Sequence, residues 1–175
     1  LALLDEALTH SSLVNEQKTA LPQHNERLEF LGDAVLSLVM SEYLASALPQ
    51  SSEGTLSKLK AQVVSEASLA QVARRLGLGE HLKLGRGEDR SKGREKDSLL
   101  ADALEAVLAA VHLDGGYEAS RMVTRHIFSE ELTSIAAQQD HPGAGDYKTQ
   151  LQEWCQKRHD TLPRYATVRE TGPDH

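Results

Sequence analysis

Two stretches of the chain carry carboxylates where apolar helices would be expected to carry none. The first is NERLEFLGDAVLSLVM, Asn25 to Met40, which holds Glu26, Glu29 and Asp33. The second is SLLADALEAVLAAVHL, Ser98 to Leu113, whose acids are Asp102 and Glu105. At 100° per residue, positions 26, 29 and 33 fall within an arc of about 60°, and Asp102 and Glu105 share a face at i,i+3. Neither run offers a Lys or Arg at i±3 or i±4 of these acids. Burying an unpaired carboxylate costs several kcal/mol. If the two strips faced each other, four acids would meet, and like charges that close cannot all ionise without a cation. Hard divalent ions take oxygen ligands, and Mg²⁺ binds a few carboxylates while keeping several waters. The pattern therefore predicts a Mg²⁺ or Mn²⁺ site built from Glu29, Asp33, Asp102 and Glu105. No His- or Cys-rich cluster accompanies the acids, which argues against structural zinc.

Such an ion suits phosphoryl chemistry. There is no GxxxxGK[ST] loop, so nucleotide-driven transfer is disfavoured and hydrolysis of a phosphodiester fits better.

The elements that must hold these acids are helical. Hydrophobic residues make up 39 % of the chain and aromatics only 4 %, so the core must be Leu, Val and Ala, which favours packed helices over a β-sandwich. LALLDEALTHSSL reads as a short helix ending near Ser11 and Ser12, and VNEQKTALPQHNE as a loop. The 28–48 stretch repeats apolar residues at helical period and is apolar on most sides, so protein should surround it. SEGTLSKLKAQVVSEASLAQVARRLGL is helical with a break near Ser65, stopped by Gly77 and Gly79. LGRGEDRSKGRE reads as a charged, mobile loop. Asp97 or Ser98 could cap a helix over 99–113 that Gly115 and Gly116 end, and another helix follows over 117–137. Gln138 to Gly145 has linker composition. Beyond it DYKTQLQEWCQKR is one amphipathic helix and PRYATVRE alternates like one strand. One helix and one strand make no core, so the chain is expected to end inside a second module, and upstream residues are expected to be missing, since it begins without Met.

The net charge is −7, which on its face argues against a nucleic-acid binder. The segment from Lys83 to Lys96 departs from that average, with six basic residues against three acids. The lone Cys155 excludes an internal disulfide and suggests a reducing, cytoplasmic compartment. No stretch approaches the roughly 18 apolar residues of a membrane span, so no membrane partner is expected.

NERLEFLGDAVL closely resembles the signature of the ribonuclease III family. ALTHSS, LSKLKAQVVSE, SLLADALEAVLAAVHLDGG and DYKTQLQEW match further segments in the right order, so the resemblance spans essentially the whole chain. It implies an all-α endonuclease domain, a ribonuclease III-like helical bundle over 1–137, followed by a linker at 138–145 and the start of an α+β double-stranded-RNA-binding domain at 146–175. It implies Mg²⁺-dependent cleavage of double-stranded RNA, leaving 5′-phosphate and 3′-hydroxyl ends, by a homodimer that processes precursor ribosomal RNA. The facing of the two acidic helices comes from this resemblance. So do the roles: Glu29, Asp33, Asp102 and Glu105 as metal ligands, with Asp33 and Glu105 the most sensitive catalytic positions. Glu26 and Glu66 would lie close by or at an interface, and His10 would be structural. Thr149, Gln152, Glu153 and His175 would reach RNA, and the segment from Lys83 to Lys96 would contact phosphates. A catalytically silent, ribosome-associated RNA-binding protein on the same fold would show decayed acids, which is not the case here. A helical phosphohydrolase acting on a small nucleotide would need His-Asp pairs within the helices, and these are missing.

Overall fold

The computed structural model describes residues 2–17, 24–138 and 147–166, and the described residues are helical, with one isolated parallel bridge between Thr9 and Lys83. The chain divides into two units, 1–136 and 137–175.

The first unit is organised by two long helices, α3 (Glu26–Ala47) and α8 (Asp97–Ile127). Before them come α1 (Ala2–Ala7) and α2 (Ser11–Gln17). Between them lie α4 (Glu53–Val63), α5 (Glu66–Arg75), the single turns α6 (Leu78–His81) and α7 (Arg86–Arg90), and a 3₁₀ turn over Gly93–Glu95. After them comes α9 (Ser129–Gln138). Leu36, Met40 and Leu44 of α3, Val72 and Ala73 of α5, Leu100, Leu104 and Leu108 of α8, and Phe128 are buried together. A smaller cluster joins Ala7 and Leu28 to Ala106, Ala109 and Ala110. Burial of each large apolar side chain here is worth about 1.5–3 kcal/mol, and this packing, rather than helix propensity, holds the bundle.

By length and composition α3 could cross a membrane, contrary to the expectation that no stretch comes close. Its buried Leu36, Val39, Met40 and Leu44 make it instead the core helix of the bundle.

Local chemistry sets the helix ends. Ser52 and Ser65 accept hydrogen bonds from the N–H groups of Thr55 (3.2 Å) and Ser68 (3.4 Å), which starts α4 and α5 and accounts for the expected break near Ser65. Other boundaries differ from the sequence reading. The helix does not stop at Ser11 and Ser12: the chain turns at His10 and α2 begins at Ser11, so Val14 to Gln17 are helical rather than loop. Neither Asp97 nor Ser98 caps α8; Lys96 precedes it, and Asp97 in its first turn pairs with Arg74. Gly116 takes φ 73° and kinks the helix, which resumes at Tyr117. The Ser120 hydroxyl donates back to the Gly116 carbonyl at 2.9 Å and secures the kink. Phe128 then separates α8 from α9 inside the expected 117–137 helix.

The LGRGEDRSKGRE segment is not a free loop. It holds α7 and the 3₁₀ turn, and four of the six basic residues between Lys83 and Lys96 pair with acids: Lys83 with Asp5, Lys92 with Glu95 (3.6 Å), Arg94 with Asp89 (2.7 Å) and Lys96 with Glu88 (2.6 Å). Arg94 also donates to the carbonyls of Gly79 and Leu82. The positive charge visible in the sequence is largely neutralised where it stands.

In the second unit, α10 runs from Tyr147 to His159. Of the stretch expected to be a strand, Pro163 to Ala166 forms none, and 167–170 lies outside the described residues.

α3 and α8 approach to backbone contact at one point. A Cβ added to Gly32 would sit 1.9 Å from the Glu105 carbonyl oxygen. Gly32→Ala must therefore push the helices apart, and we expect a loss of about 1–3 kcal/mol or more in urea unfolding. Gly54→Ala in exposed α4, where the nearest atom is 4.0 Å away, should instead be neutral or stabilising by up to about 1 kcal/mol.

Candidate metal centre

The Gly32 contact sets the register of the acids. Glu29 lies one turn before Gly32 on α3, and Asp102 lies one turn before Glu105 on α8. Glu29, Asp102 and Glu105 each bring a carboxylate oxygen within 4.8 Å of those of the other two. All three side chains are partly buried. No Lys or Arg acts on them among the described residues.

The electrostatic consequence is one-sided. Burial, then the charges of Asp33, Asp102 and Glu29, push the Glu105 carboxyl up to about 7. Burial and then Glu66 raise Asp102; His10 opposes them and Glu26 adds to them. Burial, Asp102 and Glu26 raise Glu29. Carboxylates driven toward protonation by burial and by neighbouring acids, with no Lys or Arg partner among the described residues, form the donor set that a hard divalent cation satisfies.

Of the four expected ligands, the structure gathers three. Asp33 is exposed and stands outside the 4.8 Å group, yet its charge acts on Glu105. Glu26 and Glu66 are also exposed and act on the trio from its rim. His10 stands where the 8–10 segment meets both Lys83 and the start of α3: its N–H donates to the Lys83 carbonyl (3.0 Å), and the Asn25 N–H donates to the Thr9 carbonyl (2.9 Å). The His10 Nδ1 accepts from Ser12, whose hydroxyl takes the Gly85 N–H at 2.9 Å.

The sequence reading missed Gly32. Its one signal was a lone glycine inside an otherwise strong helical run, which commonly marks close backbone approach. Of the expected RNA-contacting residues, Thr149, Gln152 and Glu153 lie on α10. Gln152 is partly buried; the side chains of Thr149 and Glu153, and all of His175, lie outside the described residues.

The raised Glu105 carboxyl has a measurable sign. Between its ordinary value of 4.5 and about 7 the folded chain keeps a proton that the unfolded chain has released. Metal-free stability should therefore fall as pH rises through that window. Glu105→Gln should raise the metal-free unfolding free energy at pH 8 by about 1–2 kcal/mol, the full shift being discounted because the group is half in solvent. The gap should close near pH 4.5, and thermal melts at the two pH values check it.

Comparison with known proteins places these observations. The family model described as Ribonuclease-III-like matches residues 1–131, and the one described as Double-stranded RNA binding motif matches residues 147–175. Ribonuclease 3 of Heliobacterium modesticaldum is 53 % identical over 175 residues, covering 100 % of this chain and 73 % of that protein. Ribonuclease 3 of Natranaerobius thermophilus is 46 % identical over 173 residues, covering 99 % and 73 %. Among solved structures, a nuclease domain of ribonuclease III from Campylobacter jejuni superposes with a TM-score of 0.69 at 42 % identity, over 74 % of this chain and 87 % of that one. Dicer from Pichia stipitis, at 23 % identity and a TM-score of 0.59, shares the fold. With about half its residues identical to those of such enzymes along its whole length, the chain belongs to the ribonuclease III family and is an endoribonuclease.

Proposed function

We propose that the chain cleaves double-stranded RNA by Mg²⁺-dependent hydrolysis, with Mn²⁺ as a substitute, leaving 5′-phosphate and 3′-hydroxyl ends. The single observation that carries this reading is the trio of Glu29, Asp102 and Glu105, gathered within 4.8 Å, each raised in pKa by burial and neighbouring acids, with no Lys or Arg partner among the described residues. These three side chains would hold the ion, and Asp33 would complete the set from the open side. A divalent cation there supplies Lewis acidity toward a phosphodiester and lowers the pKa of water. The chain itself contributes the register of the acids, fixed by the Gly32 contact, and a rim of Glu26 and Glu66 that deepens the negative field in which a cation is retained.

The nuclease domain is taken as 1–137, the linker as 138–145 and the RNA-binding portion as 146–175. The match to a double-stranded-RNA-binding motif supports a duplex substrate. Thr149, Gln152, Glu153 and His175 are the positions assigned to RNA there. In the first unit, Arg86 and Arg90 are the members of the basic segment without an ion pair among the described residues, and they remain the phosphate-contacting candidates. A homodimer is supported by an unpartnered stripe on α3: Phe30 is 82 % exposed and Leu38 55 % exposed, with exposed Ala34 between them. Apolar surface of that kind marks an interface. Precursor ribosomal RNA is the proposed substrate, in the cytoplasm.

Incubation with long duplex RNA tests the reading. Asp33→Asn and Glu105→Gln should each slow cleavage by about 10²–10⁴-fold, the rate equivalent of several kcal/mol of lost charge stabilisation, while duplex binding persists. A chelator should abolish cutting, and added Mg²⁺ should restore it. Parental rates from either variant would remove those acids from the mechanism. Phe30→Asp should shift the chain from dimer to monomer in light scattering.

A further inference from the structure

A cleft of about 100 Å³ lies between the C-terminal half of α3 and the part of α8 beyond the kink, lined by Val39, Glu42, Tyr43, Ser46, Arg121 and Arg125. At 1.5 Å per residue, Tyr43 is about 21 Å along α3 from Glu29, so the cleft is separate from the acidic centre. Positions 39, 42, 43 and 46 form one face of α3, and 117, 121 and 125 form one face of α8. Two contacts tie these faces together. The Tyr117 hydroxyl donates to Glu42 Oε2, and the Arg125 guanidinium sits over the Tyr43 ring, 5.0 Å from its centroid.

The donor inventory is unbalanced. Arg125 has no hydrogen-bond acceptor and no ion pair among the described residues, so the stacked guanidinium keeps its N–H groups free. Arg121 commits Nε and one terminal nitrogen to Glu118 Oε2, at 3.0 and 2.6 Å, and leaves the other terminal nitrogen open. The two guanidiniums stand at i,i+4, with Glu118 and Glu42 acting on Arg121, and the fork geometry of their free N–H groups suits phosphate oxygens. Glu42 is the apparent contradiction, because a carboxylate beside a phosphate site repels it. With one oxygen held by Tyr117, its other oxygen is an acceptor for a hydroxyl, and Ser46 lines the same cleft. Phosphate donors next to a hydroxyl acceptor match one repeat of RNA backbone, a phosphate with its neighbouring ribose 2′-hydroxyl. The volume agrees, being well below the roughly 300–1,000 Å³ of a cofactor or drug-sized pocket.

We propose that this cleft is a second RNA-backbone subsite, in which Arg121 and Arg125 hold a phosphate and Glu42 with Ser46 takes the adjacent 2′-hydroxyl. It rests on the reading of duplex RNA as substrate. It places a contact about 21 Å along the core helix from the cleavage centre, where it adds affinity and discriminates RNA from DNA without touching the chemistry.

The test uses the full chain carrying Glu105→Gln, so that the duplex stays intact, and measures affinity for RNA and DNA duplexes of one sequence at several salt concentrations. Arg121→Gln with Arg125→Gln should weaken RNA binding about three- to tenfold and lower the slope of log K against log salt by about 1. Ser46→Ala with Glu42→Gln should reduce the RNA-over-DNA preference severalfold. In chains with Glu105 restored, kcat at saturating RNA should stay at the parental value. Unchanged affinity, slope and preference would overturn the proposal. Side-chain N–H signals of Arg121 and Arg125, followed by NMR during titration with a ribonucleoside 3′-monophosphate, separate the sources: shifts without any change in duplex affinity mean a free-nucleotide site and overturn the backbone assignment. If the chain bearing native arginines binds no duplex, the reading of duplex RNA as substrate fails first, and silent arginine signals then overturn the cleft as well.

Discussion

The centre depends on backbone touching backbone. At Gly32, α3 lies so close to α8 that a single methyl group would collide with the Glu105 carbonyl. Side-chain packing usually separates helix axes by 8–10 Å, with the distance set by whatever residues lie between. Here there is no side chain between them at the crossing, and the small Ala101, Ala103 and Ala106 of α8 keep the surrounding contact tight. The carboxylates one turn away inherit that closeness. Without it, Glu29 would face water and relax to an ordinary acid. With it, three carboxylates crowd into a partly buried volume, and that burial, reinforced by the acids around them, raises their pKa values in the metal-free fold.

Much of this was legible beforehand, for identifiable reasons. The all-helical architecture followed from a Leu- and Ala-rich, aromatic-poor composition and from 3.6-residue periodicity, both of which act over many residues and average out local exceptions. The acids were conspicuous because their helices carried so little other charge. That the two strips face each other came from family resemblance, since no local pattern encodes which helices meet. Three of the four proposed ligands converge in the structure; Asp33 stands one step out, and its exposure could not be read from its position on the acidic arc.

The misreadings share a cause. Glycine and charge suggest a mobile loop in LGRGEDRSKGRE, and a helix end at Gly115 and Gly116. Tertiary partners decided otherwise: Asp5, Glu88 and Asp89 neutralise the basic residues, and the Ser120 hydroxyl lets the helix resume after its kink. Asp5 lies 78 residues from Lys83, beyond any short window; the nearer partners lie 4 to 8 residues away, but composition alone does not say that they pair. The strong negative net charge likewise gave little guidance, because a chain can be acidic overall and still present guanidiniums to a polyanion at chosen places.

The absence of a side chain at the α3–α8 crossing has a corollary. Where helices are spaced by interdigitating residues, each core substitution alters the gap and drags any attached site with it. A gap fixed by two main chains in contact is set at that point by the glycine rather than by the size of an intervening side chain. The distance between the acids therefore hangs on a position that contributes no functional group at all.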